Sequence, residues 1–241
     1  MMSGVYENIL GSIKNHEKLL AVLIDPDKME LNRLKYFMTA LNASITTHIF
    51  VGGSEVDAET TGFLVKELKA LTELPIVLFP GDITQITNYA DALLFLSLIS
   101  GRNPDYLIDK HVQAAPIVKA SNLEIIPTGY ILVENGKETS VQRVTGTNPM
   151  KRDNVMDVVH TAMAGQFLGQ KLMYLEAGSG ATHPIDATMI SEVRKAIDIP
   201  LIIGGGIKTK KQLLDAYNAG ADLIVLGTAL EEDESFFKEL L

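Results

Sequence analysis

The chain has 241 residues, 46% of them hydrophobic and 21% charged, enough apolar material for a large core, and this excludes wholesale disorder. Its formal net charge of −9 argues against sequence-independent nucleic-acid binding, which needs a basic surface to displace counterions. With no cysteine, disulfides, thiolate metal sites and cysteine nucleophiles are excluded as well.

Residues 1–14 mix charged and polar side chains and carry neither the apolar block nor the small-residue cleavage site of a signal peptide. No stretch reaches the roughly 18 uninterrupted apolar residues of a membrane span. The expectation is a soluble, cytoplasmic protein.

In chain order, residues 6–18 read as a leading helix, and residues 19–24 as the first of eight short, near-continuously apolar runs. The others are 47–51, 75–79, 92–98, 124–126, 171–175, 200–203 and 223–226, the pattern of parallel strands covered on both faces. Leu31, Leu34, Met38 and Leu41 place a helix over 29–41, and Leu64, Leu68 and Leu71 place one over 57–71. Residues 81–91 leave barely the roughly ten to twelve residues of a parallel crossover, so the third helix is short or absent. Residues 134–148 read as a polar loop, followed by a helix over 155–167 whose Val155, Val158, Val159, Met163 and Phe167 should face the core. Helices over 187–197 and 210–219 and a closing one over 231–241 complete the order. Eight strands alternating with helices within one domain's length predict a single α/β domain over 1–241, a modified (β/α)8 TIM barrel rather than an open sheet.

In such a barrel the active site forms where the strands end. Those ends are polar or glycine-rich here: Asp25-Pro26-Asp27, Gly52-Gly53-Ser54, Pro80-Gly81-Asp82, Ser100-Gly101-Arg102, Thr128-Gly129-Tyr130, Glu176-Ala177-Gly178-Ser179-Gly180, Gly204-Gly205-Gly206 and Gly227-Thr228. The last three groups read as a phosphate site, because glycine lets backbone N–H groups approach an anion; a single such turn is as readily a packing device. His183 and Thr209 stand where a G-x-G-x-x-G motif needs its third glycine, and no P-loop occurs.

Asp25 is a candidate ligand for Mg2+, or else caps its own loop. Asp27, three residues before Glu30 and just ahead of a helical pattern, reads as an N-cap. Glu176 is a candidate general base, with a salt bridge to a neighbouring loop as the plainer alternative. Ser54 either meets a metal or phosphate or caps the next helix. His16, His48, His111, His160 and His183 form no H-x-H or H-E-x-x-H pair, so no zinc site is expected.

The combination resembles the geranylgeranylglyceryl phosphate synthase family, which includes bacterial heptaprenylglyceryl phosphate synthases. The resemblance runs nearly end to end through Leu23-Ile24-Asp25-Pro26-Asp27, Val51-Gly52-Gly53-Ser54, Pro127-Thr128-Gly129-Tyr130, Tyr174-Leu175-Glu176-Ala177-Gly178-Ser179-Gly180, Gly204-Gly205-Gly206-Ile207 and Gly227-Thr228. It implies a barrel lacking the ordinary third helix. It implies transfer of a prenyl group from a prenyl diphosphate, geranylgeranyl diphosphate foremost, to the C3 hydroxyl of sn-glycerol 1-phosphate, giving an ether-lipid precursor and diphosphate. By the same resemblance Asp25 and Ser54 hold Mg2+ and Glu176 takes the hydroxyl proton. Glycerol phosphate is held by Tyr174, Leu175, Glu176, Ala177, Gly178, Ser179, Gly180, Gly204, Gly205, Gly206, Gly227 and Thr228; some members carry Asn at the position of Thr228. A homo-oligomer, dimeric or hexameric, with at most transient membrane contact and no nucleic-acid partner, is also implied. A barrel isomerase or lyase acting on a small sugar phosphate, or a non-catalytic phosphate-ligand-binding barrel, would use the same glycines.

Overall fold

A computed structural model describes residues 4–53, 58–232 and 236–240. Its strands β1 (Leu19–Ile24), β2 (His48–Val51), β3 (Ile76–Leu78), β4 (Ala92–Leu98), β5 (Glu124–Leu132), β6 (Leu172–Glu176), β7 (Leu201–Gly204) and β8 (Leu223–Leu226) coincide with the eight apolar runs. They are parallel and close in sequence order, with Leu19 of β1 opposite Leu223 of β8. Strand alternation sends Phe50, Val77, Leu94, Tyr130, Tyr174 and Ile202 into the barrel, and sends Val22, Ile49, Leu78, Leu175 and Ile203 outward onto the helices.

The leading helix α1 (Val5–Lys14) plugs the N-terminal end of the barrel: Val5 and Ile9 join the inner cluster. It has no capping side chain of its own. The Glu124 carboxylate, at the start of β5, accepts from the Val5 and Tyr6 N–H groups instead, which suits the positive end of the helix.

The outer ring contains α2 (Leu31–Ala43), α3 (Ala58–Lys69), α4 (Lys110–Lys119), α5 (Ser140–Thr145), α6 (Val155–Phe167), α7 (Ala187–Ala196), α8 (Lys210–Ala219), α9 (Thr228–Glu232) and α10 (Phe236–Glu239). Between β3 and β4 there is only a 3-10 turn, Ile83–Gln85, with the Asp82 carboxylate accepting from the Thr84 N–H at 3.2 Å. The third helix is therefore missing, as the short spacing requires. No helix among the described residues is long and apolar enough to cross a membrane.

Several local expectations change. Asp27 is not an N-cap: Lys28 and Met29 both donate to the Asp25 carbonyl at 3.1 Å, forming a turn that delays α2 until Leu31. Residues 128–130 are not a post-strand loop but part of β5, which pairs with β4 as far as Leu98↔Tyr130. Inside the loop expected over 134–148, the Thr139 hydroxyl caps α5 by accepting from the Gln142 N–H at 3.0 Å. Helix α4 lacks an apolar stripe, since Ile108, Val112 and Ile117 near it are exposed, so periodicity does not reveal it. Phe167 is 76% exposed, because the stripe of α6 ends on Gly165, against which Ile99 and Met173 close in. The closing helix expected over 231–241 corresponds to the end of α9 and to α10, with residues 233–235 and 241 outside the described residues; Phe237 packs edge-on against Phe37 at 5.2 Å.

Candidate active site

The C-terminal ends of the strands open into a cavity of about 440 Å3. One end is polar, formed by Glu176, Gly178, Ser179, Gly205, Gly206 and Thr228, with Asp25 across from them on the loop after β1. The other is apolar and runs toward the missing third helix between Ile83, Ile86, Phe95, Leu96 and Ala114. The cavity thus joins a polar, glycine-rich end to an apolar one.

Glu176 stands at the junction. As the last residue of β6 it points inward and is 6% exposed. Burial pushes its carboxyl up to about 7, an effect partly offset by the neighbouring Tyr174 hydroxyl and by the Gly178 N–H, which donates to Oε1. A carboxylate poised near neutrality takes and returns a proton readily. Tyr174 is fully buried, stacked on Phe79 at 5.3 Å and set edge-on to Tyr130 at 5.3 Å. Its hydroxyl stands beside the carboxyl, which it helps to keep ionised, and makes no other hydrogen bond among the described residues.

The glycine-rich turns converge beside this pair. Gly205 has φ +82°, and a Cβ there would lie 2.5 Å from Glu176 Oε1 and 2.6 Å from the Gly178 nitrogen. Glycine is therefore required both by conformation and by close approach. Ser179 and Thr228 hydroxyls hydrogen-bond each other at 2.9 Å across the turn from β6 and the start of α9. Backbone N–H groups and two hydroxyls on a concave surface are the kind of donors a phosphate requires.

Asp25 presents a half-buried carboxylate with Lys28 Nζ 3.2 Å from Oδ2 and the Asp27 N–H donating to Oδ1 at 3.2 Å. Among the described residues no group of three His, Cys, Asp or Glu side chains is placed to hold a metal ion. A single hard carboxylate beside an anion site fits Mg2+ carried mainly by phosphate oxygens and water, and does not fit a cage of protein ligands. Ser54, the other residue assigned to the metal, lies outside the described residues.

Of the residues assigned to glycerol phosphate, Tyr174, Glu176, Gly178, Ser179, Gly180, Gly205, Gly206, Gly227 and Thr228 border the cavity. Leu175 and Ala177 do not: strand alternation turns both side chains out into the layer under the helices. Ala177 also spends its backbone internally, its N–H on the Gly204 carbonyl and its carbonyl on Asn135 Nδ2. Gly204 lies behind Tyr174 and Glu176 and shapes them from below.

Residues 12–241 match the PcrB family. The chain belongs to that family. It is 53% identical over 237 residues, 98% of either chain, to the geranylgeranylglyceryl phosphate synthase of Flavobacterium johnsoniae. To the protein of that name from Methanosphaera stadtmanae it is 38% identical over 234 residues, 97% of this chain and 96% of the relative. Among solved structures it is similar to the (S)-3-O-geranylgeranylglyceryl phosphate synthase of Thermoplasma acidophilum in complex with its substrate sn-glycerol-1-phosphate. That likeness has a TM-score of 0.93 at 32% identity and covers 99% of this chain and 96% of the other. A tryptophan synthase chain from M. tuberculosis, 13% identical with a TM-score of 0.63, shares the fold alone.

This PcrB-family cavity has further walls that no motif announces. Asp82 and Lys110 form an ion pair between the loop after β3 and the start of α4, with Lys110 also 5.1 Å from the Tyr106 ring. His111 packs edge-on against Phe95 at 4.5 Å, with Nε2 3.2 Å from the Ser97 hydroxyl. Val141, Arg143 and Val144 reach the cavity from α5. Their only sequence signal is position after a strand, and for α5 the Thr139 cap.

Proposed function

We propose that the protein transfers a prenyl group from a prenyl diphosphate, foremost geranylgeranyl diphosphate, to the C3 hydroxyl of sn-glycerol 1-phosphate. The observation that carries this reading is the position of Glu176, a buried carboxyl with a pKa near 7 between a phosphate-type glycine cradle and an apolar channel. The family membership and the relatives' names support it.

In the reaction the glycerol phosphate C3 oxygen attacks the allylic C1, the ether C–O bond forms, the C1–O bond to diphosphate breaks, and the hydroxyl proton passes to Glu176. The turns at Gly178, Ser179, Gly205, Gly206, Gly227 and Thr228 hold the phosphate and so fix where the C3 hydroxyl lies. The Tyr174 hydroxyl steadies the ionised Glu176. The walls at Ile83, Ile86, Phe95, Leu96 and Ala114 take the hydrocarbon and keep water from the allylic centre. Asp25, with Ser54, would hold Mg2+, whose charge supplies stabilisation to the departing diphosphate. We further propose a single domain that works as a homo-oligomer in the cytoplasm, with transient contact at a membrane into which an ether-linked product partitions.

The test is incubation with Mg2+, labelled sn-glycerol 1-phosphate and, separately, farnesyl, geranylgeranyl or heptaprenyl diphosphate. Label should enter an organic-extractable ether, most with geranylgeranyl diphosphate. Phosphate binding without product from any of them would transfer the assignment to a sugar-phosphate isomerase or lyase, or to a binding protein.

A further inference from the structure

Residues 135–139, between β5 and α5, lie along the glycine turn after β6 as a strap. Asn135 is 2% exposed; its Nδ2 donates to the Ala177 carbonyl and its Oδ1 accepts from the Lys137 N–H at 3.1 Å. A Cβ on Gly136, which has φ +96°, would lie 3.4 Å from His183 Cδ2 and 3.6 Å from Thr182 Cβ. A Cβ on Gly178 would meet Thr139 Cγ2 at 2.3 Å. These contacts anchor the backbone from which Lys137, the one cationic side chain of the strap, projects. Lys137 Nζ stands 3.1 Å from the point where a Cβ on Gly180 would be, and Thr228 Cγ2 is 3.9 Å from that same point. The ammonium therefore lies beside the turn that carries Ser179, on the side of Thr228 at the start of α9.

Three lysines border the cavity, Lys28, Lys110 and Lys208; Lys28 and Lys110 pair with Asp25 and Asp82, and Lys137 stands beside Gly180, itself part of the lining. Lys137 makes no ion pair among the described residues. A chain of net charge −9 that receives a dianionic phosphate next to Glu176 gains from a local cation, since N–H groups and hydroxyls alone leave the ligand's charge uncompensated.

We infer that Lys137 is a phosphate-binding residue: carried on the 135–139 strap, it pairs with the phosphomonoester that the Gly178–Gly180 turn cradles. The inference rests on the reading of that turn as a phosphate site and adds to it the residue that recognises the phosphate's charge. Because the ammonium is solvent-accessible, its effect falls as salt rises.

The experiment titrates inorganic phosphate and sn-glycerol 1-phosphate into the wild type, Lys137→Ala and Lys137→Arg, with steady-state kinetics and a thermal melt on each. Lys137→Ala should weaken both ligands by about tenfold and raise KM for glycerol phosphate to match, with kcat and KM for the prenyl diphosphate largely kept. Lys137→Arg should recover most of the loss, and the salt dependence of phosphate binding should flatten only in the alanine variant. Unchanged phosphate affinity in Lys137→Ala would overturn the assignment. So would an equal loss in both variants with a lowered melting temperature, which would make the residue a structural part of the strap. A wild type that binds phosphate through Lys137 yet forms no ether with any prenyl diphosphate would leave this inference standing and remove the prenyl-transfer reading.

Discussion

Gly204 ends β7 directly behind the hydroxyl of Tyr174, whose oxygen is 2.2 Å from where a Cβ on that glycine would stand. The same point is 2.7 Å from Glu176 Oε2, so one absent methyl group sets the position of both. Gly204→Ala must displace an inward tyrosine that is stacked on Phe79 and has nowhere to go. The expected cost is about 1–3 kcal/mol of stability, with turnover falling about a hundredfold from misplacement of the base. Denaturant melts and turnover of the purified variant check both; near-normal activity would show that the pair has room to shift.

Glu176 ties activity and stability to pH in opposite senses. As a base it must be ionised, so kcat/KM should rise with pH through about 7, and Glu176→Gln should largely abolish turnover while phosphate binding persists. Its folded pKa lies above the ordinary 4.5. The stability linked to the protonated form is therefore complete below pH 4.5 and is lost as pH rises through about 7. Glu176→Gln should thus gain stability over the wild type at pH 8, on the order of 3 kcal/mol, and little at pH 4. Equal stability of the two proteins at both pH values would contradict the burial argument.

The Tyr174 hydroxyl holds down the carboxyl beside it. Tyr174→Phe removes that support and keeps the stacked ring, so the acid limb of the pH–rate profile should move to higher pH. A profile that only drops in height would assign the hydroxyl to substrate binding alone.

The architecture was legible in the chain because each strand is a compact apolar run, and a parallel strand covered on both faces has nothing else to be. The missing third helix was legible by length alone, since residues 81–91 leave no room for one. The cavity lining was legible where polar residues or glycines come at a strand's end, as at Asp25, Glu176 and the glycine turns. Leu175 and Ala177 belonged to the same string but face outward, because a string does not display the two-residue alternation of a strand. Helix α4 and its Lys110 and His111 were hidden because Val112 and Ile117 are exposed and give no stripe. Residues 134–148 read as a polar loop because buried groups among them, Asn135, Thr139 and Thr145, are polar residues satisfied by backbone, which periodicity cannot detect.

Asp25 is the only residue among those described that was assigned to the metal. Asp25→Ala should raise the Mg2+ concentration giving half-maximal rate by about tenfold or more and leave the affinity for inorganic phosphate unchanged. A variant with the wild-type Mg2+ response would remove Asp25 as a ligand.

His48, at the start of β2, is buried and neutral: desolvation lowers its imidazole from 6.5 to about 4, with Nδ1 2.8 Å from the Thr47 hydroxyl. An unfolded chain takes up that proton from pH 6.5 downward while the barrel refuses it until about 4. Stability should therefore fall with acid across that window, by on the order of 3 kcal/mol. Urea melts of the wild type and His48→Gln from pH 7 to pH 4 should converge as the pH drops; parallel curves would assign the acid loss to other groups.

Only two register pairs join β3 to β4, Val77 with Ala92 and Leu78 with Leu93, against seven between β4 and β5. A ring opens first at its weakest stitch, so amide hydrogens of residues 76–78 and 92–93 should exchange with solvent ahead of those in β6 and β7. The weakest stitch then borders the apolar arm of the cavity, while Glu176 sits on β6, which is joined to its neighbours by five pairs on one side and four on the other. Opening at that seam would leave the pairing around β6, and with it Glu176, in place.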